Sequence, residues 1–389
     1  MNARKLQQRF GGGAVVIVVA AAAAIAGGNR DGVRVAQAAR TAPHYTAELA
    51  DLTAKIRELD ARAEEQRATS WMAQADAAMA HAERARLTGE YEDYAAADAL
   101  LMRAFEIAPE GAGPFLERAS LDFTLHRLPR VEAALAAAER AILVDVPTRA
   151  AILGLRAEVS LQRGRLEEAR RGFVAALNLH SNGTGWARLA SWQWETGDLE
   201  GAAATYRKAA AMSPAARGSQ RAWAHLQLGL IDLEAGRLDG AMRHYRDADA
   251  TFPGWWLIEE HIAEVLTLQG RTRAAMDLYG DLVQRTHNPE FMDALARIHR
   301  ARGDEKGAEQ WIHAARRIHD QRLARFPEAA SGHALEHYID FGDTEAAVRL
   351  AQANFAMRPN RTAREQLVRA YEKAGQAGAA RQLAAPDSN

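Results

Sequence analysis

The residues best placed to do chemistry are six of the thirteen histidines, which fall within 51 residues of the last third of the chain. They are His287, His299, His313, His319, His333 and His337. A spacing of four puts His333 and His337 on one face of a helix, where Glu336 and Asp340 are near enough to add oxygen ligands for a zinc-like ion. The segment HALEHYID lacks the HExxH order of a metalloprotease. We therefore predict no cofactor, with His333 and His337 as the metal candidates and structural histidines as the favoured alternative.

Other catalytic patterns are missing from the sequence. The chain has no cysteine, which excludes disulfides, thiolate metal sites and cysteine nucleophiles. No serine lies in a GxSxG segment, and the glycine-rich run at 181–185 has no lysine placed to bind phosphate. The sequence predicts a protein without enzymatic activity, and an enzyme with an unrecognised site is kept as an alternative.

Length and composition favour an extended helical protein. A chain of 389 residues is long for one compact core, so several domains or a repeat array are expected. Many alanine, leucine, arginine and glutamate residues favour helices. The 49 basic and 50 acidic residues leave a net charge of -1, which gives no general attraction to nucleic acid.

The N-terminus resembles an export signal. Basic residues precede an uncharged apolar stretch at 14–26, and small-x-small sites follow at 24–26 and 36–38. Thirteen apolar residues suit a signal peptide better than a membrane span, which needs about 20. We predict an exported, periplasmic or extracellular protein, or alternatively one anchored to the inner membrane by an uncleaved segment.

A polar stretch follows, in which Leu49, Leu52, Ile56 and Leu59 have the spacing of one helix face. About two heptads are fewer than a coiled coil usually needs, so a linker or capping helix is favoured over dimerisation.

A repeat organises the rest of the chain. Seven glycines are spaced by 33 to 39 residues, and each is followed five positions later by an alanine. The glycines are Gly164, Gly197, Gly236, Gly270, Gly303, Gly342 and Gly375. Apolar residues at helical spacing on both sides of each glycine predict two helices joined by a tight turn. One such hairpin cannot bury its apolar face alone, so the hairpins must stack.

This pattern resembles the tetratricopeptide repeat, most clearly at residues 186–214 and 228–253. The resemblance implies an all-α fold, a superhelical solenoid of antiparallel helix pairs. Seven units are clear, and nine is the best count. The predicted parts are a signal peptide or membrane anchor at 1–38, a polar helical linker at 39–69, degenerate repeats at 70–145 and the repeat array at 146–386.

The same resemblance implies an inner groove that is lined by the first helix of each pair and binds peptides. Counting back from the glycines places the following residues there: Trp194, Glu195, Trp223, Glu260, His261, Glu264, Glu290, Asp293, Arg297, His333, Glu336 and Asp340. Acids outnumber bases in this set, so we predict a basic or neutral protein or peptide partner and no nucleic acid. The alternatives are a solvated acidic face and tryptophans that belong to the core.

The predicted function is a scaffold for protein interactions in a bacterial envelope assembly. The membrane would be touched only through an uncleaved N-terminal segment. The alternative is a metal or small-ligand carrier that uses the histidine-rich last third.

Overall fold

A computed structural model describes residues 44–141, 144–212 and 218–384. The predicted signal or anchor segment at 1–38 lies outside these residues. Among the residues described, no helix is both long enough and apolar enough to cross a membrane.

The described residues form nineteen α-helices and no strand. The helices are α1 (Tyr45–Glu65), α2 (Trp71–Thr88), α3 (Tyr91–Ile107), α4 (Phe115–Thr124), α5 (Leu128–Arg140), α6 (Val146–Gln162), α7 (Leu166–Leu179), α8 (Gly183–Glu195), α9 (Leu199–Met212), α10 (Gly218–Glu234), α11 (Leu238–Thr251), α12 (Trp256–Leu268), α13 (Thr272–Thr286), α14 (Pro289–Ala301), α15 (Glu305–Arg325), α16 (Pro327–Phe341), α17 (Thr344–Met357), α18 (Arg361–Lys373) and α19 (Ala377–Ala384).

From α2 onward, consecutive helices pack as nine antiparallel pairs, and each pair stacks on the next. The predicted all-α solenoid of helix pairs is thereby confirmed. In seven of the nine hairpin turns a glycine has a φ between 70° and 87°, a left-handed conformation that costs other residues energy. The two exceptions are His126, at φ 59°, and Gly342, at φ −93°.

Small residues let the two helices of a pair approach closely. The seven alanines that follow the repeat glycines are at most 4% exposed. Gly229 shows how tight the packing is, because an added Cβ would lie 2.2 Å from the Tyr245 ring. The phase of small residues in the sequence therefore marks where neighbouring helices touch.

Helix α1 packs against α2 and against the solenoid. Its Leu52 and Ile56 are buried in the same core cluster as Trp255. The Tyr45 backbone N–H donates to the Pro253 carbonyl at 3.1 Å. The polar helical segment thus packs against both the first helix pair and the turn before α12.

The superhelix winds until its early pairs (α2 to α11) meet its late pairs (α12 to α19). The indole N–H groups of Trp255 and Trp256 donate to the Leu87 carbonyl at 3.1 and 3.0 Å. The Asn360 amide donates to Gln162 Oε1 at 2.8 Å, almost two hundred residues away in sequence. These contacts enclose a space on the superhelix axis.

Candidate functional site

The early and late pairs enclose a chamber of about 190 Å³ on the axis, here called the axial chamber. On one side it is lined by the C-terminal ends of the first helices α2, α4, α6 and α8. On the other side it is lined by the N-terminal ends of α12, α14 and α18 and by part of α16. The chamber is therefore built from both ends of the repeat array.

Four arginines and two glutamates line the axial chamber. These residues are Arg86, Arg322, Arg358, Arg361, Glu195 and Glu290. Arg361 pairs with Glu195 at 3.7 Å and, across the chamber wall, with Glu234 at 2.7 Å. Arg322 lies 4.9 Å from the centre of the Tyr91 ring. The other two arginines of the chamber are Arg86 and Arg358.

Arg86 and Arg358 have no carboxylate oxygen within 4.0 Å among the described residues. Arg358 donates to Asn354 Oδ1 at 2.6 Å, while its Nε is buried without a hydrogen-bond partner. Burial lowers the pKa of Arg358 to about 10 and also lowers the pKa of Arg86, because the charged form is poorly solvated there. Arginine keeps its proton in proteins at neutral pH, so both guanidinium groups are charged and have no countercharge among the residues that the structure describes.

Helix ends compensate only part of this cost. Arg86 lies in the last turn of α2 and Arg358 is the C-cap of α17, positions where the helix dipole favours a cation. That interaction contributes about 0.3–1 kcal/mol. Both side chains are half-buried. Because full burial of an unpaired ion costs several kcal/mol, the dipole offsets only part of the cost of partial burial.

His126 stands where the other hairpin turns carry a glycine. Its φ of 59° is strained by roughly 1–2 kcal/mol for a residue with a Cβ, and its Nδ1 is buried without a hydrogen bond. Burial lowers the pKa of His126 well below its ordinary value, and nearby Arg358 and His333 lower it further because like charges repel. The sequence signal was available and missed: Leu125–His126–Arg127 replaces the expected turn glycine between Gly89 and Gly164.

Several residues predicted for the groove form a polar ladder between the first helices α14 and α16. Its three rungs are Glu290 with His333 at 2.7 Å, Asp293 with His337 at 2.7 Å and Arg297 with Asp340 at 2.7 Å. Burial raises the pKa of the Glu290 carboxyl, but His333, His319 and Arg322 together outweigh that effect and lower the pKa to about 2. Glu290, Asp293 and Asp340 therefore each have a partner side chain on the adjacent first helix.

Most of the other predicted groove residues contact neighbouring side chains of the fold, and none of them is exposed. Glu336 pairs with Arg369 at 2.8 Å, and Glu264 pairs with His261 at 3.1 Å. Trp194 is buried and its indole N–H donates to Glu234. Trp223 is half-buried and packs edge-on against Tyr206, so both tryptophans contribute to the core.

Glu260 differs from the other predicted groove acids. No hydrogen bond or ion pair involves its carboxylate among the described residues. Burial raises its pKa to about 8, and the negative charges of Glu290 and Glu264 add to that effect. Glu260 is thus the predicted groove acid that the fold leaves without a partner.

His319 and His337 contact Asp293, which is not one of the two carboxylates that the sequence predicted as metal ligands. Asp293, His319 and His337 are all buried, and their candidate ligand atoms lie within 4.8 Å of one another. His319 Nε2 is 2.9 Å from one Asp293 oxygen and His337 Nδ1 is 2.7 Å from the other. Two imidazole N–H groups therefore satisfy Asp293 without an ion. The predicted set of His333, His337, Glu336 and Asp340 is not brought together, because His333, Glu336 and Asp340 each bind a different partner.

No family model matches this sequence, and no curated protein matches it. Solved structures do match. A Rap protein complexed with Competence and Sporulation Factor is 13% identical, with 83% of this chain and 99% of that chain covered and a TM-score of 0.53. The human IFIT1 dimer with m7Gppp-AAAA is 15% identical, with 87% and 77% covered and a TM-score of 0.51.

The structure of the APC/C hetero-tetramer Cut9-Hcn1 also matches. It is 16% identical, with 76% of this chain covered and a TM-score of 0.47. The chain spans 55% of the length of that relative. At these identities the similarity concerns the fold. The chain has the fold of tetratricopeptide repeat proteins, a superhelical array of antiparallel helix pairs.

Proposed function

We propose that this chain is a scaffold without enzymatic activity that holds a protein or peptide partner on the inner surface of its superhelix. The observation that carries the proposal is the architecture itself, because eight of the nine described helix pairs contribute their first helix to the lining of the axial chamber. Structures of this fold are recorded with Competence and Sporulation Factor, in the Rap complex, and with m7Gppp-AAAA, in IFIT1. The net charge of -1 favours a protein over a nucleic acid here.

The charge of the partner is part of the proposal. Most of the acids predicted to face the groove are paired with histidines and arginines of neighbouring helices. A preference for a basic or neutral partner therefore depends on Glu260, whose carboxylate has no counterion in the part of the chain described. A cationic side chain of the partner beside Glu260 would lower the pKa of this carboxyl and hold it in the ionised form.

We also propose that the protein acts in a bacterial envelope assembly. The support is the basic, apolar and small-residue layout of residues 1–38, which is typical of an export signal. Cell fractionation together with N-terminal sequencing of the mature protein tests this. A mature N-terminus after position 26 or 38 supports export, whereas an intact N-terminus in the cytoplasmic fraction contradicts it.

Site-specific photo-crosslinking tests the scaffold. A photoreactive residue is placed at Glu260 on the first helix α12 and, as the matched control, at exposed Gln310 on the second helix α15. We expect position 260 to give a discrete adduct with one protein and position 310 to give none. The same adduct from both positions, or no adduct from position 260, would contradict binding on the inner surface.

Charge removal tests the preference of the partner. Glu260→Gln should weaken capture of the crosslinked protein, while the exposed control Glu309→Gln should leave capture unchanged. Equal capture by both variants would rule out a role for the acidic charge.

A further inference from the structure

We propose that the axial chamber is a binding site for a compact oxyanion, a small molecule that carries a carboxylate or a phosphate, held by Arg358 and Arg86 with His126 in the chamber wall. This inference concerns a small-molecule ligand and does not depend on the partner proposed above.

The first support is the uncompensated positive charge. The two glutamates of the chamber are already engaged, Glu195 by Arg361 and Glu290 by His333. Arg86 and Arg358 line the same space with no carboxylate in reach among the described residues. An oxyanion is the group that guanidinium binds best, because its oxygens accept charge-assisted hydrogen bonds from the guanidinium N–H groups.

The second support is the strained residue in the chamber wall. His126 occupies a left-handed turn position that glycine fills in seven other hairpins of this chain. Glycine there would avoid the strain, but it would also remove the imidazole, whose Nδ1 is buried without a partner. Strained backbone of this kind concentrates at ligand sites, where the surrounding structure holds the residue in place.

The third support is size and position. A cavity of about 150 Å³ is enough to hold a benzene-sized molecule, so a chamber of about 190 Å³ accommodates phosphate or a short dicarboxylate. Arg86 belongs to the first helix pair and Arg358 to the eighth. An anion in the chamber would therefore add contacts between the early and late pairs and favour the closed superhelix.

Titration calorimetry of the full chain tests the proposal with three probes: inorganic phosphate, succinate and the uncharged succinamide. Each titration is made in chloride buffer of matched ionic strength. We expect saturable binding of phosphate or of succinate, and whichever binds more tightly identifies the oxyanion. Succinamide should bind at least tenfold more weakly, a difference of about 1.4 kcal/mol.

Variants locate the site. Arg358→Met and Arg86→Met should each weaken binding of the successful anion at least tenfold, and His126→Gly should weaken it measurably. The matched control is Arg243→Met, because Arg243 is an exposed arginine outside the chamber. Circular dichroism verifies that each variant is folded, and if one chamber variant does not fold, the other carries the test.

Three results would overturn the proposal. The first is the absence of saturable binding of both anions up to about 10 mM. The second is binding of succinamide as tight as that of succinate, and the third is a loss of binding in Arg243→Met equal to that in the chamber variants.

Discussion

Removing the Arg361 side chain should loosen the contact that closes the axial chamber. Its guanidinium joins the N-terminus of α18 to Glu234 at 2.7 Å and to Glu195 at 3.7 Å, and each of the three side chains is between 18% and 28% exposed. Exposed ion pairs contribute about 0–1 kcal/mol, whereas breaking a buried pair costs about 3–5 kcal/mol. Glu195 keeps its bond to the Arg361 backbone N–H, and Glu234 keeps the Trp194 indole. We therefore expect Arg361→Met to lower the free energy of unfolding by about 2 kcal/mol.

Urea denaturation measures this free energy, and small-angle scattering measures whether the superhelix opens. The matched control is Arg349→Ala, which removes an exposed pair with Glu345 at 3.5 Å within one helix. It should cost no more than about 0.5 kcal/mol and leave the radius of gyration unchanged. If Arg361→Met loses no more stability than the control and keeps the same radius of gyration, the Arg361 ion pairs do not hold the early and late pairs together.

Three further changes test the packing and the buried charges. Gly229→Ala should destabilise the protein by about 1–3 kcal/mol in thermal unfolding because its Cβ meets the Tyr245 ring, while Gly378→Ala, with open space around it, should not. Glu260 binds its proton more tightly in the folded state, so its contribution to stability is present below pH 4.5 and is lost as the pH rises to about 8. Glu260→Gln should therefore make the free energy of unfolding in urea depend less on pH. One titrating group changes this free energy by at most about 1.4 kcal/mol per pH unit. Equal slopes in the variant and the unsubstituted protein would contradict the prediction. Asp293→Asn removes the carboxylate between two buried histidines and should cost about 3–5 kcal/mol in urea; a loss below 1 kcal/mol would refute the pairing.

Local signals predicted the repeat well. The turn glycines and the alanines five positions later report contacts within one hairpin, which depend on residues a few positions apart. The protein confirms that fold, and its turn geometry explains the glycine spacing. The contacts between the early and late pairs have no such pattern in the sequence. Nothing in the spacing of Leu87 and Trp256 shows that an indole will meet that carbonyl, because their approach depends on the pitch accumulated over five helix pairs.

The same limit explains why the count of groove charges was incomplete. Counting acids along single helices placed Asp293 and Asp340 in an acidic surface, but it could not show which histidine or arginine of the adjacent first helix lies opposite each acid. In the fold the neighbouring helix supplies the partner, and the described residues leave an unpaired carboxyl group at Glu260 and unpaired positive charge at Arg86 and Arg358.

Departures from a repeat are therefore more informative about function than the repeat itself. A glycine in a hairpin turn satisfies the backbone and reports only the fold. His126 adopts the same left-handed conformation at a cost in energy, because it has a Cβ. Its side chain lies near Arg358, which the described residues leave without a countercharge. Selection for stability alone would remove both features, since glycine relieves the strain and an apolar side chain in place of Arg358 relieves the unpaired charge. Their presence together at the axis is the reason to look for a ligand there before any other surface of the solenoid.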